Sequence, residues 1–191
     1  MTGVASGMDF SGCDEVALRN AKTGEAARLV RADRVPATAA LQAQVTRICN
    51  EPLVYDLLFR RRFKGEPYPP ESATGFLEGA ARGWREGTHY IFYIMRGSAA
   101  EPEILGNVEV RAPAVAATEL GYWATSRAPG FMTPAVGAVC EIARRAGCQS
   151  LFALTRTYND RSMAVLRRNG FEEAGLVGEG EDLARKFVKT L

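Results

Sequence analysis

Two stretches hold the residues whose types and spacing could do chemistry. In ELGYWATSRAPGFMTPAVG, residues 119–137, a strand-like run ends near Ser126. A turn holding Arg127 and Gly130 then leads into a helix opening near Met132. The first four N–H groups of a helix lack internal acceptors. Together with the macrodipole they favour an anion by about 0.3–2 kcal/mol. Gly130 lets the backbone approach a ligand closely and Arg127 adds a charge, so the fit is to a pyrophosphate. Pro129 has no N–H to offer. The turn is neither a G-x-G-x-x-G fingerprint nor a G-K-[ST] loop, and an ordinary strand–helix connection stays open as the alternative.

The second stretch is TYNDRSMAVLRRNGFEEAGL, residues 157–176. Asn159 stands where an N-cap belongs, and Gly170 where a left-handed residue ends a helix. Phe171 then begins a core strand. Helix punctuation accounts for Asn159 and Gly170. It leaves Ser162, a hydroxyl in the first turn, without a role.

The elements that must position these residues read as one α+β domain. Segments on either side of the turn 20–24 form two short strands. Pro36 suits a helix start, with Leu41, Val45 and Ile48 on one face. LVYDLLF could be helical, and RRRFKGEPYPP must be a loop. Phe76, Ala80 and Trp84 mark a second amphipathic helix ending near Gly87. HYIFYIMRG reads as a buried strand. EILGNVEVRA alternates, with Ile104, Gly106, Val108 and Val110 on one side. TELGYWATS completes an antiparallel meander. A helix stopped by Gly147, a buried strand SLFALTRTY, the helix after Asn159 and two last strands follow. Residues 1–13, small and polar, read as a loose tail ahead of a single domain over 14–191.

Composition removes several classes of function. A formal charge of +2 on 191 residues argues against a nucleic-acid-coating protein. No apolar run approaches the ~18 residues of a membrane span, and the N-terminus does not read as a secretion signal. Cys13, Cys49, Cys140 and Cys148 lie far apart with no C-x-x-C pair, and His89 stands alone. Metal binding is not expected, and the cysteines read as free thiols of a cytoplasmic protein.

Taken together, R-x-x-G-x-M-T at 127–133 and N-x-x-S-x-x-V-L-x-x-x-G-F at 159–171 resemble the GNAT superfamily of acyl-CoA-dependent N-acetyltransferases. The preceding ELGYWA resembles the RimJ/RimL branch, which acetylates ribosomal-protein N-termini. The motifs span roughly 89–176, and the element order over 25–191 matches that of the GNAT fold, a mixed, mostly antiparallel sheet flanked by helices.

The resemblance implies a role for each matching residue. The strand 119–126 would splay from its neighbour and pair with pantetheine through Trp123, Ala124 and Thr125. Arg127, Gly130, Phe131, Met132 and Thr133 would cradle the pyrophosphate of acetyl-CoA, the co-substrate. Asn159 would contact the pantetheine arm, and Ser162 would lie near the thioester sulfur. Two departures stand out. Ala128 and Pro129 fill loop positions commonly held by Gly and a variable residue. Leu166 stands where many members carry a proton-donating Tyr. Ser162 is therefore the candidate acid. Glu119 is the candidate base, directly or through a water, with an ordinary solvent-facing strand Glu as the alternative.

An amine attacks only when neutral. Deprotonating a lysine-like amine at pH 7 costs about 4–5 kcal/mol, an α-amine only about 1.4 kcal/mol. One carboxylate base and a weak acid fit α-amines better. The implied acceptor is a protein N-terminus or a small amine. Homodimers are common in the family. The departures also leave room for a non-catalytic acyl-CoA sensor or scaffold. His89, at a strand start, reads as a hydrogen-bonding residue before a base. Tyr122 reads as packing or as pocket lining. The basic run 59–64 is either a lip for an acidic partner or a solvated loop.

Overall fold

The computed structural model describes residues 8–10, 12–98, 100–111 and 114–191. An eight-stranded sheet has the order β1-β2-β3-β4-β5-β6-β8-β7. Its strands are β1 (Glu15–Arg19), β2 (Ala26–Arg31), β3 (His89–Gly97), β4 (Pro102–Arg111), β5 (Thr118–Ala124), β6 (Ser150–Arg156), β7 (Glu172–Val177) and β8 (Ala184–Thr190). Every neighbouring pair is antiparallel except β5–β6, which is parallel. The helices are α1 (Ala39–Cys49), α2 (Pro52–Leu58), α3 (Pro70–Glu86), α4 (Met132–Arg145) and α5 (Asp160–Arg168). The expected α+β architecture and element order are those observed.

Side-chain alternation along a strand decides which helix meets which residue. Tyr93, Asn107 and Trp123 pair across β3, β4 and β5 and so share one face. Phe76 of α3 covers that face, its ring centroid 6.0 Å from Tyr93 and 5.6 Å from Trp123. On the opposite face, Tyr122 of β5 reaches Ser162 of α5. α4 turns Val136, Val139, Cys140 and Ala143 into the core, as the 3.6-residue period requires. Arg144 and Arg145 point outward and pair with Glu141.

Four expectations need correction. α1 begins at Ala39, not at Pro36, because the Thr38 hydroxyl accepts from Leu41 N–H at 3.3 Å and caps the helix there. In β4, Ile104, Leu105, Gly106, Asn107 and Val108 are all buried, so the alternation is lost. A register irregularity opposite Ile94 and Met95 leaves Leu105 without a partner, and helices cover both faces there. β6 is not uniformly buried: Phe152 is half-buried and Leu154 is exposed. The fourth concerns the expected tail 1–13. Residues 1–7 and 11 lie outside the described part, but Met8 and Phe10 are buried. Phe10 stacks on Tyr90 at 4.0 Å, and Asp9 N–H donates to Ala146 O at 3.1 Å. Burying such an apolar side chain is worth about 1.5–3 kcal/mol, enough to hold the segment down.

Candidate active site

β5 and β6 are paired only at Thr118–Leu151 and Glu119–Phe152. Beyond these two pairs the strands part, and the backbone edges facing each other carry no ladder. A cavity of about 460 Å³ passes through the gap. On the α2 side it is lined by Leu53, Leu57, Leu58, Leu154, Trp123 and Glu119. On the α5 side it is lined by Tyr122, Met132, Asn159, Ser162 and Val165.

The turn between β5 and α4 shapes one end. Among the described residues, the N–H groups of Ala128, Gly130, Phe131, Met132 and Thr133 have no protein acceptor. Five unpaired donors lie in one turn, and α4 adds its positive dipole end. Ser126 N–H is different. It donates to the Glu51 carboxylate at 2.6 Å, while the Ser126 hydroxyl donates at 2.7 Å and Thr125 Oγ1 at 2.5 Å. Arg127 Nε lies 3.6 Å from the same carboxylate. Burial pushes the Glu51 carboxyl up, but these hydrogen bonds and Arg127 outweigh it, and the net shift is down.

Gly130 has φ +114°, a conformation that favours glycine. The space beside it is filled by Asn20 from the β1–β2 turn, whose Oδ1 a Cβ would strike. Asn20 Nδ2 donates to Pro129 O at 3.2 Å, and Ala21 N–H donates to Gly130 O at 3.0 Å. Gly130 therefore makes room for a protein brace on the side where a Cβ would stand.

The remaining expected residues fall as follows. Trp123, Ala124 and Thr125 line the cavity, with the Thr125 hydroxyl engaged by Glu51. Arg127 is outside the lining and its side chain is 70% exposed. Phe131 is a core side chain and can offer only its backbone. Met132 lines the cavity, whereas the carbonyl of Thr133 accepts from Asn169 Nδ2 at 3.2 Å. Asn159 Oδ1 accepts from Ser162 N–H at 3.1 Å, so the cap is real and the residue also lines the cavity. Ser162 Oγ lies 2.7 Å from the Tyr122 phenol.

Glu119 Oε1 accepts from Arg111 Nη1 at 2.9 Å, and Arg111 also pairs with Glu109. Glu119 and Tyr122 stand on opposite faces of β5, one toward α2 and one toward α5. His89 is 3.2 Å from Thr88 Oγ1 and lies outside this cavity. In the basic run, Arg60 pairs with Asp56, and Arg61 with Asp182 in the β7–β8 turn. Exposed pairs of this kind contribute about 0–1 kcal/mol each.

Sequence reasoning missed Glu51, Asn20, Arg111 and Thr155. Thr155 lines the cavity and is 5% exposed, and its hydroxyl oxygen is itself buried without a protein partner. The open strand edges and the free N–H groups fit a long ligand with amide groups and a phosphate end. The only signal for Glu51 was its place before Pro52, at the start of a helix it does not cap by side chain. Among the described residues no group of three or more His, Cys, Asp or Glu side chains could hold a metal ion.

Comparisons with known proteins agree with this fold. Residues 34–172 match the Acetyltransferase (GNAT) domain family. A RimL ribosomal-protein α-N-acetyltransferase in complex with coenzyme A superposes with a TM-score of 0.69 at 20% identity, covering 92% of this chain and 98% of that one. RimJ of Mycobacterium smegmatis, bound to a CoA disulfide, gives 0.69 at 20% identity, covering 94% and 88%. A microcin self-immunity acetyltransferase with acetyl-CoA and AMP gives 0.68 at 16% identity, covering 86% and 92%. Among curated protein sequences none matches significantly.

Proposed function

The chain belongs to the GNAT acetyltransferase domain family, and from that premise we propose that it moves the acetyl group of acetyl-CoA to an α-amine, with a protein N-terminus as the preferred acceptor. The observation that carries this reading is the cavity through the parted strands, with free N–H groups at one end and Glu119 and Ser162 along its walls. The coenzyme's pyrophosphate would sit on the N–H groups of 128 and 130–133. Its pantetheine would take the place of the missing ladder, with Trp123, Ala124, Thr125, Thr155 and Asn159 beside it.

The amine enters from the α2 side, where Leu53, Leu57, Leu58 and Leu154 form an apolar wall. Glu109 and Glu119 share one guanidinium, Arg111, which leaves a net negative charge facing the ammonium. Among the described residues Glu119 Oε2 has no protein partner and is free to take the ammonium proton, directly or through a water. The neutral nitrogen attacks the acetyl carbonyl, the C–S bond breaks, and the thiolate is met by the Ser162 hydroxyl. A single carboxylate base suits an α-amine, which costs about 1.4 kcal/mol to deprotonate at pH 7, better than a lysine at about 4–5 kcal/mol. The likeness in fold to RimL, described as a ribosomal L7/L12 α-N-protein acetyltransferase, supports a protein N-terminus as acceptor. None of the four cysteines lines the cavity, and burial pushes the Cys49 and Cys140 thiols up to about 12 and about 11. Direct transfer in a ternary complex is favoured over an acyl-cysteine intermediate.

The test is thiol release from acetyl-CoA with a panel of N-terminal peptides, free lysine derivatives and small amines. Peptides with a free α-amine should be acetylated, and the same peptides blocked at the N-terminus should not. Saturable coenzyme binding with no turnover on any amine would replace this reading with a non-catalytic acyl-CoA sensor.

A further inference from the structure

Leu166 occupies the helix position where many family members carry a proton-donating Tyr, and it is fully buried at 0% exposure. No side chain there reaches the cavity. The phenol comes instead from β5. Tyr122 Oη lies 2.7 Å from Ser162 Oγ and 3.2 Å from Ser162 O, and both residues line the cavity. Resting on the acetyl-transfer reading, we propose that Tyr122 is a positioning residue that donates to Ser162 Oγ and so aims the serine proton at the departing coenzyme thiolate.

A phenol carries one proton, and a serine hydroxyl carries one. If Tyr122 donates to the Ser162 carbonyl, the serine proton is free to turn back onto the phenol oxygen and is lost to the cavity. If Tyr122 donates to Ser162 Oγ, the serine proton has no protein acceptor nearby and points at the ligand. An anionic sulfur in the gap selects the second arrangement, because a hydrogen bond to a charged acceptor is roughly twice as strong as a neutral one. The backbone of the serine is anchored, since its N–H donates to Asn159 Oδ1 at 3.1 Å. The cap and the donor pair are thus built on the same turn.

The chemistry is hydrogen bonding and stops short of full transfer from the phenol. Burial pushes the Tyr122 phenol up to about 12, against a smaller downward pull from its bond to Ser162. A complete move of its proton to a thiolate with a pKa of ~8.5 would run uphill by a factor of about 3,000. The phenol therefore remains a neutral donor throughout the working pH range, and the thiol takes its final proton from water. On the other face of β5, Glu119 handles the ammonium. One strand serves both ends of the reaction through its alternation.

Two measurements on the whole protein decide the matter. In the first, the bound coenzyme A thiol is titrated by difference ultraviolet absorbance of its thiolate. A donor pair lowers the pH at which the bound thiol ionises, and Tyr122→Phe should move that midpoint up by about 0.5–1 pH unit while coenzyme affinity by calorimetry stays within about threefold. In the second, Tyr122→Phe should lower kcat by roughly 10–100-fold with KM for acetyl-CoA nearly unchanged. Tyr122→Phe combined with Ser162→Ala should be no slower than Ser162→Ala alone. Coincident titrations, fully additive losses in kcat, or a coenzyme affinity that collapses in Tyr122→Phe would each overturn the proposal. A shifted thiol midpoint in a protein that acetylates no amine would leave the Tyr122–Ser162 pair standing and remove the acetyl-transfer reading instead.

Discussion

Glu51 grips Ser126 twice through one carboxylate oxygen, at 2.6 Å to the backbone N–H and 2.7 Å to the hydroxyl. The two residues are 75 positions apart, one at the start of α2 and one at the end of β5. A buried carboxylate thus stands under the turn that offers its other N–H groups to an anion. It fixes the turn to the helix that walls the acceptor side.

Replacing Glu51 tests that bracket. Glu51→Gln should lower unfolding free energy by about 1–3 kcal/mol at pH 7, because the amide turns a donor toward two donors. The folded carboxyl titrates below its unfolded value of about 4.3, so its stabilisation is complete above that pH and is lost as pH falls through the folded value. The stability gap between parent and variant should begin to close as pH falls below about 4.3 and vanish below the folded value, read by urea unfolding at each pH. A constant gap would mean the charge is not what stabilises.

At Gly130 the prediction separates backbone from side chain. Gly130→Ala should cost about 1–3 kcal/mol and weaken coenzyme binding, since a φ of +114° strains an L-residue. Adding Asn20→Ala relieves the collision but leaves the strain. Melting curves of the single and double variants should therefore recover only in part. Full recovery would place the whole cost in the Asn20 contact.

Glu119 is tested through pH. Glu119→Gln should reduce kcat/KM by roughly 10²–10⁴ near pH 7, and the deficit should shrink as pH rises past the acceptor amine's own pKa. Unchanged activity across that range would remove Glu119 as the base.

Installing a phenol at 166 should not help. Leu166→Tyr overfills a closed core position and should cost about 1–3 kcal/mol in unfolding free energy. Combined with Ser162→Ala it should give no recovery of kcat. Recovery would show that the helix can still present an acid as it does in other family members.

What could be read from the sequence was local. Asn159, Ser162 and Gly170 lie within one helix and its ends, so their spacing alone places the cap, the hydroxyl and the stop. The turn 127–133 is legible for the same reason, since its residues form the start of one helix. The supports are not local. Asn20 meets Pro129 across 109 positions, and Glu51 meets Thr125 across 74. No periodicity encodes such contacts. Gly130 shows the cost of that blindness: a glycine in the turn is readable, but the neighbour that leaves no room for a Cβ is not. β4 was misread because alternation assumes one wet face, and here helices cover both. Tyr122 was weighed only as packing or lining, since a strand residue gives no hint that α5 will pass beside it.

The parted strands carry a mechanical consequence. With two rungs at its midline, the sheet is a book of two leaves, β1–β5 and β6–β8, bound at a short spine. A coenzyme lying in the crease would act as stitching and supply the hydrogen bonds the backbone withholds from itself. Amide deuterium uptake at 121–124 and 153–156 should then slow on loading, while the outer hairpins β1–β2 and β7–β8 exchange as before.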